Sequence, residues 1–294
     1  MDPILAEIRR GLRGARRAPA DGSTGRQARR PSGSLPRAPR AVLFDVYGTL
    51  LYPAARPLSG PFSSSARAAA LVRRHGLNLA PDQVSSALAL AISREHSTLR
   101  ARGIPHPEVL IERIWAEILP GRTQEELRLI AAGWEAAVRP VLPGTGCRAL
   151  LRFLRASGLR LGIVSNAQFY TPLFLEVLLG GRPGDIGFTD SLCVYSFESA
   201  AAKPGPELFA RAARGLADLG IEAGQAVMVG NDPDNDIAAA ARCGFMTVRI
   251  GGNGGPPADA VIHGLADLGH MVRQALRAGP GSPGSGASAP GAGG

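Results

Sequence analysis

Four polar clusters in this 294-residue chain hold residue types that could do chemistry together: Asp45 with Thr49, Ser165 with Asn166, Lys203, and the run from Asn231 to Asp236. A carboxylate such as Asp45 is a competent nucleophile toward a phosphoryl group or an activated carbon, and it leaves a covalent intermediate. A transferring phosphoryl group needs positioning and neutralisation of the charge on its equatorial oxygens. The Ser165 hydroxyl and nearby backbone N–H groups can hold one oxygen. Lys203 can hold another and keep Asp45 in its charged form. A hard cation such as Mg²⁺ takes oxygen ligands and retains several waters. Asp45, the carbonyl of Tyr47 and the oxygens of the 231–236 loop would supply the protein's share.

Lys203 is distinctive in type as well as place. The chain has 33 basic residues, and every one except Lys203 is arginine. Arginine is a flat fork of five donors, whereas lysine is a compact point charge on a flexible stem. A position that stays lysine in this background reads as one needing the compact ammonium, able to reach a carboxylate and a phosphate in a confined space. Each cluster alone has an ordinary structural reading: a turn residue at Asp45, a helix N-cap at Ser165 and Asn166, a solvated acidic loop at 231–236. Their joint occurrence at predicted strand ends points to function.

The elements that must position these residues follow from periodicity. AVLFDVYGTLL (41–51) opens as a short apolar strand that delivers Asp45 to the edge of a sheet, and Gly48 and Thr49 turn the chain. Residues 52–143 carry helical periodicity without strand-like runs, and helix starts are expected at Asp82 after Pro81 and at Thr123 before Gln124, Glu125 and Glu126. From Pro143 onward, helical and apolar strand-like runs alternate, with strands at 159–166, 225–231 and in SLCVYS, FMTVRI and ADAVI. That alternation predicts an α/β fold with a doubly wound parallel sheet, interrupted by an inserted all-helical domain. The expected organisation is a Rossmann-like core over 40–51 and 144–277, a helical insert over 52–143, and disordered tails over 1–39 and 278–294.

Composition narrows the function classes. Hydrophobic residues make up 45% of the chain, a normal share for a globular protein. No apolar run reaches the roughly 18 residues of a membrane-spanning helix, and the N-terminus lacks the apolar segment of a secretory signal. The three cysteines, Cys147, Cys193 and Cys243, lack metal-type spacing and read as ordinary thiols of a reducing compartment, so a cytoplasmic location is expected. Of the net charge of +9, residues 1–40 contribute +7, from ten arginines against Asp2, Glu7 and Asp21. Nonspecific attraction to nucleic acid through that stretch is the only nucleic-acid contact expected, and it has no aromatic residues to stack on bases.

In order along the chain, DVYGT (45–49), Ser165–Asn166, Lys203–Pro204 and GNDPDND (230–236) resemble the four motifs of the haloacid dehalogenase-like hydrolases, in the group with a helical cap inserted after the first motif. The resemblance covers about residues 40–277. It implies Asp45 as nucleophile, catalytic roles for Thr49, Ser165 and Lys203, and a substrate lining from Tyr47, Gly48, Asn166 and Gln168. It also implies Mg²⁺ held by Asp45, Tyr47, Asn231, Asp232 and Asp236. Two positions depart from the family pattern. Family phosphatases usually place a general acid/base Asp two residues after the nucleophile, where this chain has Tyr47, a residue common there in family dehalogenases. The usual direct metal ligand after the motif-four glycine is an Asp, and here it is Asn231. The acidic loop leans the other way, because family dehalogenases work without metal and lack such a cluster.

The expected function is a Mg²⁺-dependent phosphohydrolase of a small phosphorylated metabolite, acting through an aspartyl-phosphate intermediate. One alternative is a metal-independent 2-haloacid dehalogenase acting through an aspartyl ester. The other is a catalytically weak relative serving as a binding protein. A cap that closes over the site suits small substrates and excludes water. Candidates among the cap residues for facing the site are Arg94, His96, Arg100, Arg102, His106, Glu108, Arg113 and Trp115, most of which read as surface or core residues of the helices.

Overall fold

The computed structural model describes residues 2–16, 30–55, 63–252 and 255–278. Strand β2 (Ala41–Phe44) is buried along its whole length because both faces of its sheet are covered, which is why it reads as an unbroken apolar run. Val42 and Phe44 pack into one apolar cluster and Ala41 and Leu43 into another. On its two edges β2 pairs in parallel with β5 (Arg160–Ser165) and β7 (Ala226–Gly230). The sheet extends from β5 to β6 (Phe188–Tyr195), and from β7 through β8 (Met246–Ile250) to β9 (Ala260–Ile262), all parallel. A two-residue strand β1 (Ser32–Gly33) closes the β9 edge antiparallel. One face is covered by α6 (Cys147–Ala156), α7 (Thr171–Leu179) and α10 (Leu265–Ala278), and the other by α8 (Glu207–Asp218) and α9 (Ala239–Arg242). This is the doubly wound sheet that the sequence predicts. The chain winds outward from β2 in one direction and then in the other, so the crevice at such a reversal lies at the C-terminal end of β2, where Asp45 sits.

The helical cap is inserted between β3 (Leu51–Pro53) and β4 (Val141–Pro143), which pair antiparallel as a two-strand stem. It contains α2 (Ser64–Arg74), α3 (Pro81–Ala101), α4 (Ile111–Ile118) and α5 (Gln124–Val138). Helix α3 begins on Pro81, whose missing N–H costs nothing at that position. Helix α5 begins with a reciprocal cap: the Thr123 hydroxyl accepts from the Glu126 N–H at 3.2 Å and Glu126 accepts from the Thr123 N–H at 2.8 Å. Trp115 does not face the site. It is buried edge-to-face against Trp134, with ring centroids 5.9 Å apart.

The largest departure from expectation lies at the N-terminus. Residues 3–11, within the stretch expected to be a disordered tail, form helix α1 (Pro3–Gly11), capped by Asp2, whose carboxylate accepts from the Ile4 N–H at 2.8 Å. Helix α1 packs on both α5 of the cap and α7 of the core. Leu5 and Ile8 are buried there, and Gly133 of α5 lets Glu7 come close, since a Cβ at that glycine would lie 2.6 Å from Glu7 Cγ. Residues 17–29 of the expected N-terminal tail and 279–294 of the C-terminal one lie outside the described residues.

Glu7 is only 2% exposed and pairs with Arg10 at 2.7 Å and with Arg74 of α2. Burial pushes its carboxyl up, but the neighbouring His75 ring, whose Nε2 lies 3.8 Å away, the hydrogen bond from Arg10 and the charge of Arg74 outweigh that, and the net shift is downward. A carboxyl held below its unfolded value adds stability that is present at neutral pH and lost as pH falls through the carboxylate range. Glu7→Gln is therefore expected to cost about 2 kcal/mol at pH 7, below the usual cost of breaking a buried pair because Arg10 and Arg74 can rehydrate. Thermal melts should show that deficit shrinking toward zero at strongly acidic pH. A deficit independent of pH would mean that packing, not charge, holds α1.

Candidate active site

Each candidate catalytic residue stands at the C-terminal end of a parallel strand or in the loop beyond one. Asp45 follows β2, and its N–H extends the ladder to the Val229 carbonyl at 3.0 Å. Ser165 ends β5, and its hydroxyl donates to Asp45 Oδ1 at 3.1 Å. Lys203 arrives from the loop after β6. Its ammonium donates to Asp45 Oδ1 at 2.9 Å, to Asp236 Oδ1 at 2.6 Å and to the Val164 carbonyl at 2.8 Å. Those three bonds use all three ammonium protons. Burial alone would push the Lys203 pKa down, but the charges of Asp45 and Asp236 reverse that and raise it, so the ammonium stays protonated. Among the described residues, Asp45 Oδ2 has no hydrogen-bond partner, which leaves it free for attack or for a cation.

Asp236 is placed as a holder more than as an open ligand. Its Oδ1 meets Lys203, and its Oδ2 accepts from the Asn231 and Asp232 N–H groups at 3.0 and 2.9 Å. Burial pushes its carboxyl up to about 6, with the negative charge of Asp45 adding to the rise and Lys203 opposing it. Asp232 is likewise engaged by its own loop. Its carboxylate accepts from the Asp234 and Asn235 N–H groups at 2.9 and 2.8 Å and caps the helical turn Pro233–Ala238. Asn231 differs, being pressed onto the loop that follows Asp45. A Cβ at Gly48, which has φ +86°, would lie 2.7 Å from Asn231 Oδ1. Thr49, fully buried, donates to that same oxygen at 3.4 Å, so among the described residues its hydroxyl hydrogen-bonds Asn231 and not Asp45.

Three expected substrate contacts turn out to have protein partners. The Asn166 side chain closes a two-bond ring with the Lys203 backbone, donating to its carbonyl at 3.0 Å and accepting from its N–H at 2.7 Å. Gln168 binds the cap loop. The Tyr47 hydroxyl shares a hydrogen bond with Thr171 Oγ1 at 3.0 Å, and burial pushes its pKa further above the ordinary phenol value. A phenol held this way is no proton acceptor at neutral pH. The thiols are not alternative nucleophiles either, because burial pushes Cys147 up to about 11 and Cys193 up to about 12. Sequence reasoning missed the Lys203–Asp236 pair as the partner that fixes the ammonium. The signal available was the spacing of Asp236 along a loop that must fold back over β7.

A family model described as haloacid dehalogenase-like hydrolase matches residues 39–244. A curated relative, the glyceraldehyde 3-phosphate phosphatase of Methanopyrus kandleri, is 29% identical over 224 residues, which is 72% of this chain and 83% of that protein. Among solved structures, a 2-haloacid dehalogenase from Pseudomonas syringae pv. Tomato DC3000 aligns with a TM-score of 0.52 at 19% identity, covering 80% of this chain and 98% of that one. No helix among the described residues is long and apolar enough to cross a membrane.

Proposed function

The chain belongs to the haloacid dehalogenase-like hydrolases, and from that premise we propose that it is a Mg²⁺-dependent phosphohydrolase of a small phosphorylated metabolite. The observation that carries this reading is the charge at the centre of the site. Two carboxylates, Asp45 and Asp236, share one ammonium, so the buried cluster has a net charge of −1. A buried negative excess is unfavourable unless a cation completes it. The name of the phosphatase relative, acting on a triose phosphate, supports a small phosphorylated substrate for this chain as well.

The residues present fit Mg²⁺ with a small protein share. The Asp45 carboxylate, the Tyr47 carbonyl and the Asn231 amide oxygen would hold it, with waters completing the shell, and Asp45 Oδ2 stays the attacking oxygen. The contact of Gly48 with Asn231 brings the loop after Asp45 against the loop after β7. When bound, the ion would neutralise charge on the phosphoryl oxygens. The chain's own residues do the rest. Asp45 Oδ2 attacks phosphorus, a P–Oδ2 bond forms and the bond to the leaving oxygen breaks. Ser165 and Lys203 fix the attacking carboxylate through its other oxygen. Water then cleaves the aspartyl phosphate, releasing inorganic phosphate and restoring Asp45. Because Tyr47 keeps its proton and is bonded to Thr171, the leaving oxygen takes its proton from solvent, which favours substrates with good leaving groups.

One feature favours the second reading, metal-independent dehalogenation: Tyr47 in place of an acid/base Asp. A single assay separates them. Hydrolysis of an aryl phosphate should require Mg²⁺ and fall at least ~100-fold with chelator, returning when Mg²⁺ is restored. Chelator-insensitive halide release from a 2-haloacid, with no phosphate release, would overturn the proposal.

A further inference from the structure

We propose that Glu108, contributed by the cap, is a positioning residue that fixes the loop carrying Lys203 and ties it to the cap. The loop between α3 and α4 runs antiparallel to residues 200–202, through a bridge between Pro107 and Ala201. The Glu108 N–H donates to the Ala200 carbonyl at 3.0 Å, and the Ala202 N–H donates to the His106 carbonyl at 2.8 Å. The cap therefore pairs directly with the backbone that leads into Lys203, one residue after Ala202.

The Glu108 side chain locks that pairing to the motif-two loop. Its Oε1 accepts from Gln168 Nε2 at 2.9 Å and from the Val109 N–H at 2.9 Å, and its Oε2 accepts from the Ser196 hydroxyl at 2.5 Å. Gln168 also donates to the Val109 carbonyl at 2.9 Å and accepts from the Ile111 N–H at 3.1 Å. Ser196 Oγ accepts from the Ala167 N–H at 2.8 Å. Every polar atom of the Gln168 side chain is thus engaged by the cap, and both carboxylate oxygens of Glu108 by the core or its own loop. Asn166, two residues before Gln168, holds the Lys203 backbone on both sides. One short segment, 166–168, grips the catalytic lysine at one end and the cap at the other. With the cap loop free, residues 200–202 would lose their antiparallel partner, and the ammonium would lose its fixed position between Asp45 and Asp236. Glu108 itself touches neither of these carboxylates, so its effect runs through Lys203.

The first test reads the clamp without activity. Hydrogen exchange at the Ala202 and Ile111 amides should quicken at least tenfold in Glu108→Ala at unchanged far-UV circular dichroism, and unchanged exchange would overturn the proposal. The second test is kinetic, on an aryl phosphate, and it alone rests on the phosphohydrolase reading. Glu108→Ala should lose at least tenfold in kcat with KM shifted less than threefold. Gln168→Ala should lose a similar factor, and the double variant no more than the worse single one. Glu108→Gln, whose amide can accept from Gln168 and donate to Ser196, should recover most of the lost kcat. Additive losses, a loss confined to KM, or faster exchange with unchanged kcat would each overturn the positioning role. A wild-type protein that turns over no phosphate ester would sink the phosphohydrolase reading while leaving the exchange result to decide the clamp.

Discussion

Replacing Lys203 by Arg is expected to lower kcat/KM by about 10³-fold, as large a loss as removing a principal charge donor from an active site. The two side chains carry the same charge, so the loss would come from shape. Lys203 is 4% exposed, and its three protons are directed at Asp45, Asp236 and the Val164 carbonyl at 2.9, 2.6 and 2.8 Å. These acceptors surround one nitrogen. A planar guanidinium is larger, carries five donors and spreads its charge over three nitrogens. It cannot meet three acceptors converging on one point, and it would bury donors without partners, each at a cost of about 1–3 kcal/mol. The thermal midpoint should fall along with activity. Progress curves with the aryl phosphate and a melt of the same preparation check both. An arginine variant within tenfold of wild type would refute the confinement argument, and with it the reason this position escaped the chain's preference for arginine.

Asp45, Ser165 and Lys203 were legible because parallel strands obey a simple rule. An apolar run covered on both faces is easily recognised, and its C-terminal end is where ligands bind. That rule places residues as distant in sequence as Asp45 and Lys203 at one edge of the sheet. What sequence could not show was which protein groups would consume the polar atoms. Asn166 and Gln168 look like ligand-facing amides, and both are engaged by partners that depend on long-range docking: the Lys203 loop in one case and the cap loop in the other. Helix α1 was hidden for a different reason. Its apolar positions, Leu5 and Ile8, lie inside an arginine-rich stretch whose average composition reads as unfolded. Only docking against α5 and α7 gives so short a helix a surface to bury. Tyr47 was visible as a departure, but its bond to Thr171, which removes it from proton transfer, was not.

Asp45→Asn is expected to abolish turnover, by at least about 10⁴-fold, while leaving the protein as stable as wild type or more so. The first half follows from chemistry: an amide oxygen does not form the covalent intermediate. The second half follows from counting buried charge. In the wild type, Asp45 and Asp236 share Lys203, and the burial and mutual repulsion that push the Asp236 carboxyl up to about 6 are the mark of one carboxylate too many. A neutral amide at position 45 removes the excess, leaving Lys203 and Asp236 as a one-to-one pair at 2.6 Å. A gain of about 1 kcal/mol without metal is reasonable for a site that holds charge for function and not for folding. The same count predicts the response to Mg²⁺. A ligand that binds only the folded state raises its melting temperature by mass action. Mg²⁺ should therefore stabilise the wild type and have little effect on Asp45→Asn, so the two melting curves should approach or cross as metal is added. If Asp45→Asn melts well below wild type without metal, the negative excess is not a strain on the fold. If both respond equally to Mg²⁺, the ion binds somewhere other than Asp45.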